Sequence, residues 1–436
     1  MFDRGASHGG AQSAGGVLRP GLGGFELGEC LGEYRGMGKL QRALYAAEHC
    51  PELSVNSLQL AMDEVKQSTY DAARYQLVAK QLARLTGSSA EDPGWLVNAN
   101  HAASELNKEI AAKLDRARKQ NSKRESFRAQ CELVELLKKM GRMDEAIRAL
   151  QDARAYCVDV GEQARLHLEV ARIAQVMCRW LQVSSSIQRA ESVVAEPSEV
   201  VAAELAAMQA QASFGDGKWA AAVGEIQRLS LDRLAAAGVI GGGVVTARDF
   251  ALYGTLAGLA VLGRDRVKEL LIDNVRFSQF LDHMPECQRL LQSFYGARYD
   301  DALQRLEQIK SFCLIDPVVG PHMAALQQQI VDNIVVLYTR PFVSIRMASM
   351  ARALCFASED ALEATLVRMI EAGLIHARID ATTGILVKQI GDPRDDALRK
   401  VEKLHGEFSL LAELMATRIQ YLEEESGHRP AVAGRR

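Results

Sequence analysis

Residues 340–390 read RPFVSIRMASMARALCFASEDALEATLVRMIEAGLIHARIDATTGILVKQI, and this stretch decides the fold. Helical spacing of apolar residues predicts one helix over residues 344–356 and a second that begins after Ser358, whose side chain can cap it. Gly373 stands where a left-handed C-cap is expected. Residues on either side of the turn at 381–384 alternate between apolar and polar, which predicts a β-hairpin. Two helices followed by a hairpin form a winged helix.

Upstream of this stretch, residues 126–312 predict pairs of helices that recur at intervals of about 40 residues. The second helix of a pair opens with a bulky residue three positions before a small or branched one. These opening residues are Met143, Trp180, Trp219 and Tyr299. A degenerate unit is expected near Gly263. Because one helix pair cannot bury its apolar face alone, the pairs should stack into a solenoid.

After Pro393 the chain continues as a long predicted helix, residues 395–424, whose apolar residues repeat every seven positions. A lone helix with such a stripe needs a partner. It could fold back on its own chain or join helices of other subunits. We favour the second because the winged helix before it already has a filled core. The predicted subunit interface consists of Leu398, Val401, Phe408, Leu411, Met415, Ile419 and Leu422.

The end of the second helix and the hairpin carry a motif of apolar residues, two glycines and one aspartate. It consists of Leu366, Met369, Ile370, Gly373, Ile375, Ile379, Asp380 and Gly384. This motif resembles the PCI domain, a family found in the proteasome lid, the COP9 signalosome and a translation initiation factor. The resemblance implies a mainly α fold. It implies a right-handed, TPR-like helical-repeat solenoid that is followed by a winged-helix PCI module and, in this chain, by a C-terminal helix.

A second motif precedes the repeats and consists of Tyr34, Gly36, Arg42, His49, Cys50 and Pro51. It resembles the N-terminal segment of one PCI subunit of the COP9 signalosome and differs from the paralogous subunit of the proteasome lid. The adjacent His49 and Cys50 suggest a metal site only at first sight, because no further ligand lies at a suitable spacing. We interpret them as a packed helix end.

Composition limits the class of protein. The sequence has 52 basic and 55 acidic residues, a net charge of −3, which argues against a dedicated nucleic-acid binder. The eight cysteines form no CxxC pair and predict buried thiols rather than disulfides. No apolar run reaches the length of a membrane span, and the Gly-rich N-terminus lacks the apolar core of a signal peptide. These features predict a soluble intracellular protein with no membrane partner.

Motifs that carry chemistry are missing from the sequence. It contains no HExxH, no nucleophile elbow and no Walker motif. Residues 241–243 are all glycine but lack the neighbours of a phosphate loop, so a flexible turn between repeats is expected. The second winged-helix helix carries four acidic residues against one basic residue, which opposes binding to phosphates. We therefore predict no catalytic residue, no cofactor, no metal and no nucleic-acid partner.

These segments predict six regions along the chain. They are a disordered Gly-rich tail at 1–28, an N-terminal helical segment at 29–120, TPR-like repeats at 121–338, the winged helix of the PCI domain at 339–392, a C-terminal bundle helix at 393–425 and a loose tail at 426–436.

The resemblance to the family implies a role in assembly, as a non-catalytic scaffold subunit of the COP9 signalosome. Implied partners are the other PCI and MPN subunits of that complex and, through the complex, cullin-RING ubiquitin ligases, from which it removes Nedd8. The zinc isopeptidase chemistry is then expected in another subunit. The chain itself is expected in the cytoplasm and the nucleus. The alternative is the paralogous PCI subunit of the proteasome regulatory-particle lid.

Overall fold

The structure is a computed structural model that describes residues 27–88, 91–193, 198–389 and 393–427. The predicted disordered tail therefore lies outside the described residues except at its end. There the first helix already begins at Leu27, because the side chains of Leu27 and Leu31 are both buried. Of the predicted loose C-terminal tail, residues 426 and 427 are the end of the last helix, and the rest lies outside the described residues.

The described chain is mainly helical. Its first part contains α1 (Leu27–Gly32), α2 (Gly36–His49), α3 (Ser54–Ser68), α4 (Ala72–Thr86), α5 (Pro93–Lys119), α6 (Lys123–Lys139), α7 (Met143–Ala153), α8 (Val160–Val176), α9 (Trp180–Val193), α10 (Glu199–Gly215) and α11 (Trp219–Ile226). Next come α12 (Leu231–Ala236), α13 (Ala247–Val261), α14 (Arg264–Val267), α15 (Val275–Leu281), α16 (Pro285–Tyr295), α17 (Tyr299–Cys313) and α18 (Met323–Thr339). The last part contains β1 (Ser344–Arg346), α19 (Met347–Ala353), α20 (Glu359–Glu371), β2 (Ala377–Asp380), β3 (Ile385–Lys388) and α21 (Pro393–Gly427).

These elements form two compact units. The first comprises the described residues up to Arg340 together with Ala353–Cys355. The second comprises Pro341–Arg352 and the described residues from Phe356 onward. Helical repeats in the first unit and a winged helix in the second confirm the predicted fold class.

Helix pairs build the greater part of the first unit. The helices α7, α9, α11 and α17 begin at the four bulky residues that the sequence singles out. The loops before them share one geometry, in which a left-handed residue follows the first helix. At α6–α7 it is Gly141 with φ 73°, at α8–α9 Cys178 with φ 53°, and at α16–α17 Ala297 with φ 56°. The expected degenerate unit near Gly263 is α14, a single turn that continues into a π-helical turn.

The central helix of the first unit is α13. Its residues from Phe250 to Ala260 are all buried, which fits a helix that is apolar all round. It packs against α11 and α18 and ends at Val261, and the carbonyl oxygen of the next residue, Leu262, accepts a hydrogen bond from the side-chain amide of Asn333. A continuous core thus extends from the repeats to α18.

The second unit corrects the sequence prediction at one place. Residues 344–346 were predicted to open a helix, but they form β1, which pairs antiparallel with β3. The sheet order is β1-β3-β2, so the predicted hairpin is the larger part of a three-stranded sheet. The helical prediction was wrong because a three-residue strand has no period of its own, and its partner lies some 40 residues away in the sequence.

The register of this sheet sets its two faces. Leu386 lies between Ile345 and Ile379 and is buried, whereas its neighbour Val387 is exposed. The predicted caps of α20 are confirmed. The hydroxyl of Ser358 accepts a hydrogen bond from the amide of Ala361, and Gly373 is left-handed with φ 70°.

Candidate interaction surfaces

The N-terminal motif forms a buried anchor between α2 and α13. The hydroxyl of Tyr34 donates to Oδ1 of Asp249 at 2.6 Å. The guanidinium of Arg42 lies 3.0 Å from Oδ2 of Asp249 and donates to the carbonyl oxygen of Val244 at 2.9 Å. It also lies 3.6 Å from Oδ2 of Asp316. All four ionisable side chains are buried, so this network ties the N-terminal helices to the repeat core.

Burial and neighbouring charges have opposite effects on the pKa values of Asp249 and Arg42 in this network. Burial raises the pKa of the Asp249 carboxyl, and the positive charge of Arg42 opposes that rise. Burial also tends to lower the pKa of Arg42, but the carboxylates of Asp249 and Asp316 keep it well above its usual value. The cation therefore stays charged and compensates two buried acidic groups.

The remaining motif residues lie at the two ends of α2. Gly36 has φ 57° and donates its amide hydrogen to Oε1 of Glu64. His49 stacks on Tyr45 with ring centroids 4.0 Å apart. Burial raises the pKa of the Cys50 thiol, and Pro51 opens a short 3₁₀ turn. Within the described residues no group of three or more potential metal ligands occurs.

The glycine run at 241–243 also contributes to this anchor. The carbonyl oxygen of Gly243 accepts a hydrogen bond from the amide of Arg35 at 3.2 Å. A Cβ on Gly38 would overlap the backbone of Gly243, so only glycine permits this approach. The loop is therefore a packing contact for the N-terminal helices, whereas the sequence predicts only a flexible turn.

Asp249, Asp316 and Tyr253 are the members of this anchor that sequence reasoning missed. Tyr253 donates its hydroxyl hydrogen to Asp316 at 2.8 Å. One signal was present in the sequence, since Thr246 and Asp249 form a capping box at the start of the apolar helix α13. The pairing itself joins residues 207 positions apart and has no local signal.

The PCI motif lies in the second unit, in α20 and the hairpin. Leu366, Met369 and Ile375 are buried, and Ile370 and Ile379 are half-buried. Asp380 accepts hydrogen bonds from the amide of Thr382 and the hydroxyl of Thr383, which lower the pKa of its carboxyl. Gly384 has φ 63° and closes the turn. These residues stabilise the conformation of α20 and of the β2–β3 hairpin.

The outer edges of the sheet are β1 and β2, because β3 lies between them. An outer strand leaves backbone donors and acceptors that can extend a sheet into another chain. Val343, directly before β1, and Leu374, shortly before β2, are exposed apolar residues. The winged helix thus offers β-edges with apolar neighbours.

The apolar stripe of α21 is exposed. The solvent-exposed fraction is 62% for Val401, 68% for Phe408 and 60% for Met415. The other described members of the predicted interface, Leu398, Leu411 and Ile419, are exposed as well. The side chain of Leu422 lies outside those described. All described side chains of this 35-residue helix are exposed.

The segment 113–128 spans the end of α5 and the start of α6 and carries seven basic residues against two acidic ones. Its Lys113 pairs with Glu132 at 2.6 Å, and Arg118 donates to the hydroxyl of Tyr156.

No helix in the described part of the chain is both long and apolar enough to cross a membrane.

Comparison with known proteins gives two family matches. Residues 92–270 match the family described as 26S proteasome subunit RPN7, and residues 306–389 match the PCI domain. The second match covers α18, the winged helix and both strands of the hairpin. The two matches span different parts of the chain and leave residues 271–305 outside both.

Curated relatives match over much more of the chain. COP9 signalosome complex subunit 1 of Arabidopsis thaliana is 28% identical over 402 residues, which are 91% of this chain and 90% of the relative. The subunit 1 of Schizosaccharomyces pombe is 26% identical over 357 residues, 82% of each chain. A 26S proteasome non-ATPase regulatory subunit 6 homolog of Arabidopsis thaliana matches at 24% identity over 161 residues, 37% of this chain.

Proposed function

We propose that this chain, which resembles subunit 1 of the COP9 signalosome over nearly its whole length and carries a PCI domain, is a scaffold subunit of that complex. The observation that carries the proposal is the extent of the match. The signalosome relatives align with both the N-terminal helices and the PCI module, whereas the proteasome relative covers about a third of the chain.

The scaffold role is supported by the surfaces that the chain exposes. The stripe on α21 and the β-edges of the winged helix are suited to contacts with other chains. We propose the other PCI and MPN subunits as direct partners and cullin-RING ligases as partners through the complex. The chain itself is non-catalytic in this proposal. Removal of Nedd8 from cullins would use zinc chemistry in another subunit. We propose cytoplasm and nucleus as the location of the chain.

Co-purification distinguishes the signalosome from the proteasome lid. The full chain, tagged at its N-terminus, is expressed in cells and recovered with its partners for mass spectrometry. We expect signalosome subunits and cullins in the recovered material and a cullin-deneddylating activity that the chain purified alone does not show. Recovery of proteasome ATPases with no signalosome subunit would assign the chain to the lid instead.

A further inference from the structure

A cavity of about 320 Å³ lies between α7, α8 and α9 in the repeat array. It is separate from the N-terminal anchor and from the PCI module. Its size is at the lower end of the range of ligand-binding pockets, roughly 300–1,000 Å³, which suits one or two amino-acid side chains. The chemistry of its lining indicates what it can hold.

The ionisable residues of the lining are all basic. Arg154 follows α7, His167 lies on α8 and Arg189 on α9, and no carboxylate occurs among the described residues of the lining. Neither arginine forms an ion pair with a described carboxylate. Other arginines of the same region do: Arg142 pairs with Glu145, Arg172 with Glu204, and Arg179 with Asp144. The two arginines at the cavity are thus left with their charge available.

The electrostatic effect of this arrangement shows at His167. Burial lowers the pKa of its imidazole, and the positive charges of Arg154 and Arg189 lower it further. The fields of the two guanidinium groups therefore converge on the cavity from two different elements. A negative charge placed there would gain attraction from both.

The rest of the lining is apolar in one part and amide-rich in another. Leu150, Leu166 and Val170 form the apolar part, and Gln151, Gln163 and Gln182 contribute donors and acceptors. A free phosphate would bind the arginines but would leave the apolar part of the lining in contact with water. An acidic peptide fits all three parts, because its carboxylate can bind the arginines, an adjacent aliphatic side chain can cover the apolar part, and its backbone can bind the glutamine amides.

We propose that this cavity binds an acidic segment of a partner protein. A carboxylate lies between Arg154 and Arg189, and the neighbouring aliphatic side chain packs on Leu166 and Val170. Arginine suits this role because its planar donor fork binds a carboxylate through two hydrogen bonds. The proposal does not depend on which multisubunit complex contains the chain.

The test uses the full chain and a fluorescein-labelled peptide of alternating glutamate and leucine, followed by fluorescence anisotropy. The double variant Arg154→Ala/Arg189→Ala should bind the peptide roughly tenfold more weakly than the unaltered chain. The matched control is Arg148→Ala/Arg165→Ala. Both of its arginines lie on α7 and α8 outside the cavity lining, so the net charge changes equally. The control should bind within about twofold of the unaltered chain.

Three results would overturn the proposal. The first is an equal loss of affinity in both double variants, which would indicate general charge attraction. The second is equally tight binding of a peptide in which glutamine replaces glutamate. The third is tighter binding of inorganic tripolyphosphate than of the acidic peptide, lost in the Arg154→Ala/Arg189→Ala variant, which would indicate a site for small anions.

Discussion

At the scale of single residues, Arg42 links the N-terminal helices to the repeat core through a buried ion-pair network. It is the cation within ion-pair distance of two buried carboxylates, those of Asp249 and Asp316. Arg42→Met keeps an unbranched apolar stem, removes the guanidinium and leaves both carboxylates without their counterion. We expect the free energy of unfolding to fall by about 3–5 kcal/mol, the usual cost of breaking a buried ion pair. Chemical denaturation of the full chain measures this loss.

Two further variants separate charge from packing. Arg84→Ala removes an exposed arginine of α4 and should change stability by less than about 0.5 kcal/mol. The double variant Arg42→Met/Asp249→Asn should be more stable than Arg42→Met alone. The second substitution removes the negative charge of Asp249, which Arg42→Met leaves buried without a counterion. Additive losses in the double variant would contradict the electrostatic explanation.

At the scale of elements, the starts of the repeat helices could be predicted because their signals are local. A bulky residue three positions before a small or branched one recurs at Met143, Trp180 and Trp219, and each is the first residue of its helix. The left-handed residue before each start was less predictable. Glycine at position 141 is a sequence signal for a left-handed residue, because glycine adopts positive φ readily. Cys178 and Ala297 adopt positive φ although their side chains disfavour it.

A close helix approach offers a test of how the repeats pack. A Cβ on Gly215, the last residue of α10, would overlap the indole ring of Trp180 at the start of α9. Gly215→Ala should therefore lower the free energy of unfolding by about 1–3 kcal/mol through overpacking. A Cβ added to Gly224 on α11 would meet no atom within 4 Å, and Gly224→Ala should raise stability by about 0.5–1 kcal/mol.

Thermal and chemical denaturation of these two alanine variants should move in opposite directions. Both replace a glycine by alanine in a helix of the same array, so intrinsic helix propensity favours both. Stabilisation by Gly215→Ala would mean that Trp180 moves aside without cost and that the helices are less tightly packed.

The elements that sequence reasoning missed depend on distant partners. Strand β1 exists because Ile345 pairs with Leu386, and nothing within residues 344–346 indicates a strand. The anchor depends likewise on Arg42 meeting Asp249 across the chain. Both ends of α20, by contrast, follow from Ser358 and Gly373, which are local signals. Local signals could be predicted from the sequence, whereas pairings between distant segments could not.

At the scale of the whole molecule, the two units differ in how their apolar residues are used. The first unit buries its apolar residues in several connected clusters, such as the one around Leu40, Leu58 and Tyr75. The long helix of the second unit leaves its apolar residues exposed. A contiguous exposed stripe of this kind marks a surface for other protein chains. The second unit is therefore where the proposed assembly contacts should concentrate.

The most direct measurement of this claim compares two faces of α21 in co-purification from cells. Phe408→Glu/Met415→Glu places two charges in the stripe, and Leu410→Glu/Thr417→Glu places the same two charges, at the same spacing, on the opposite side of the helix. All four residues are exposed, so neither change should unfold the chain. Loss of the signalosome subunits from the first variant with retention by the second is the predicted result. Retention by both variants, or equal loss from both, would contradict the assignment of the stripe as the assembly surface.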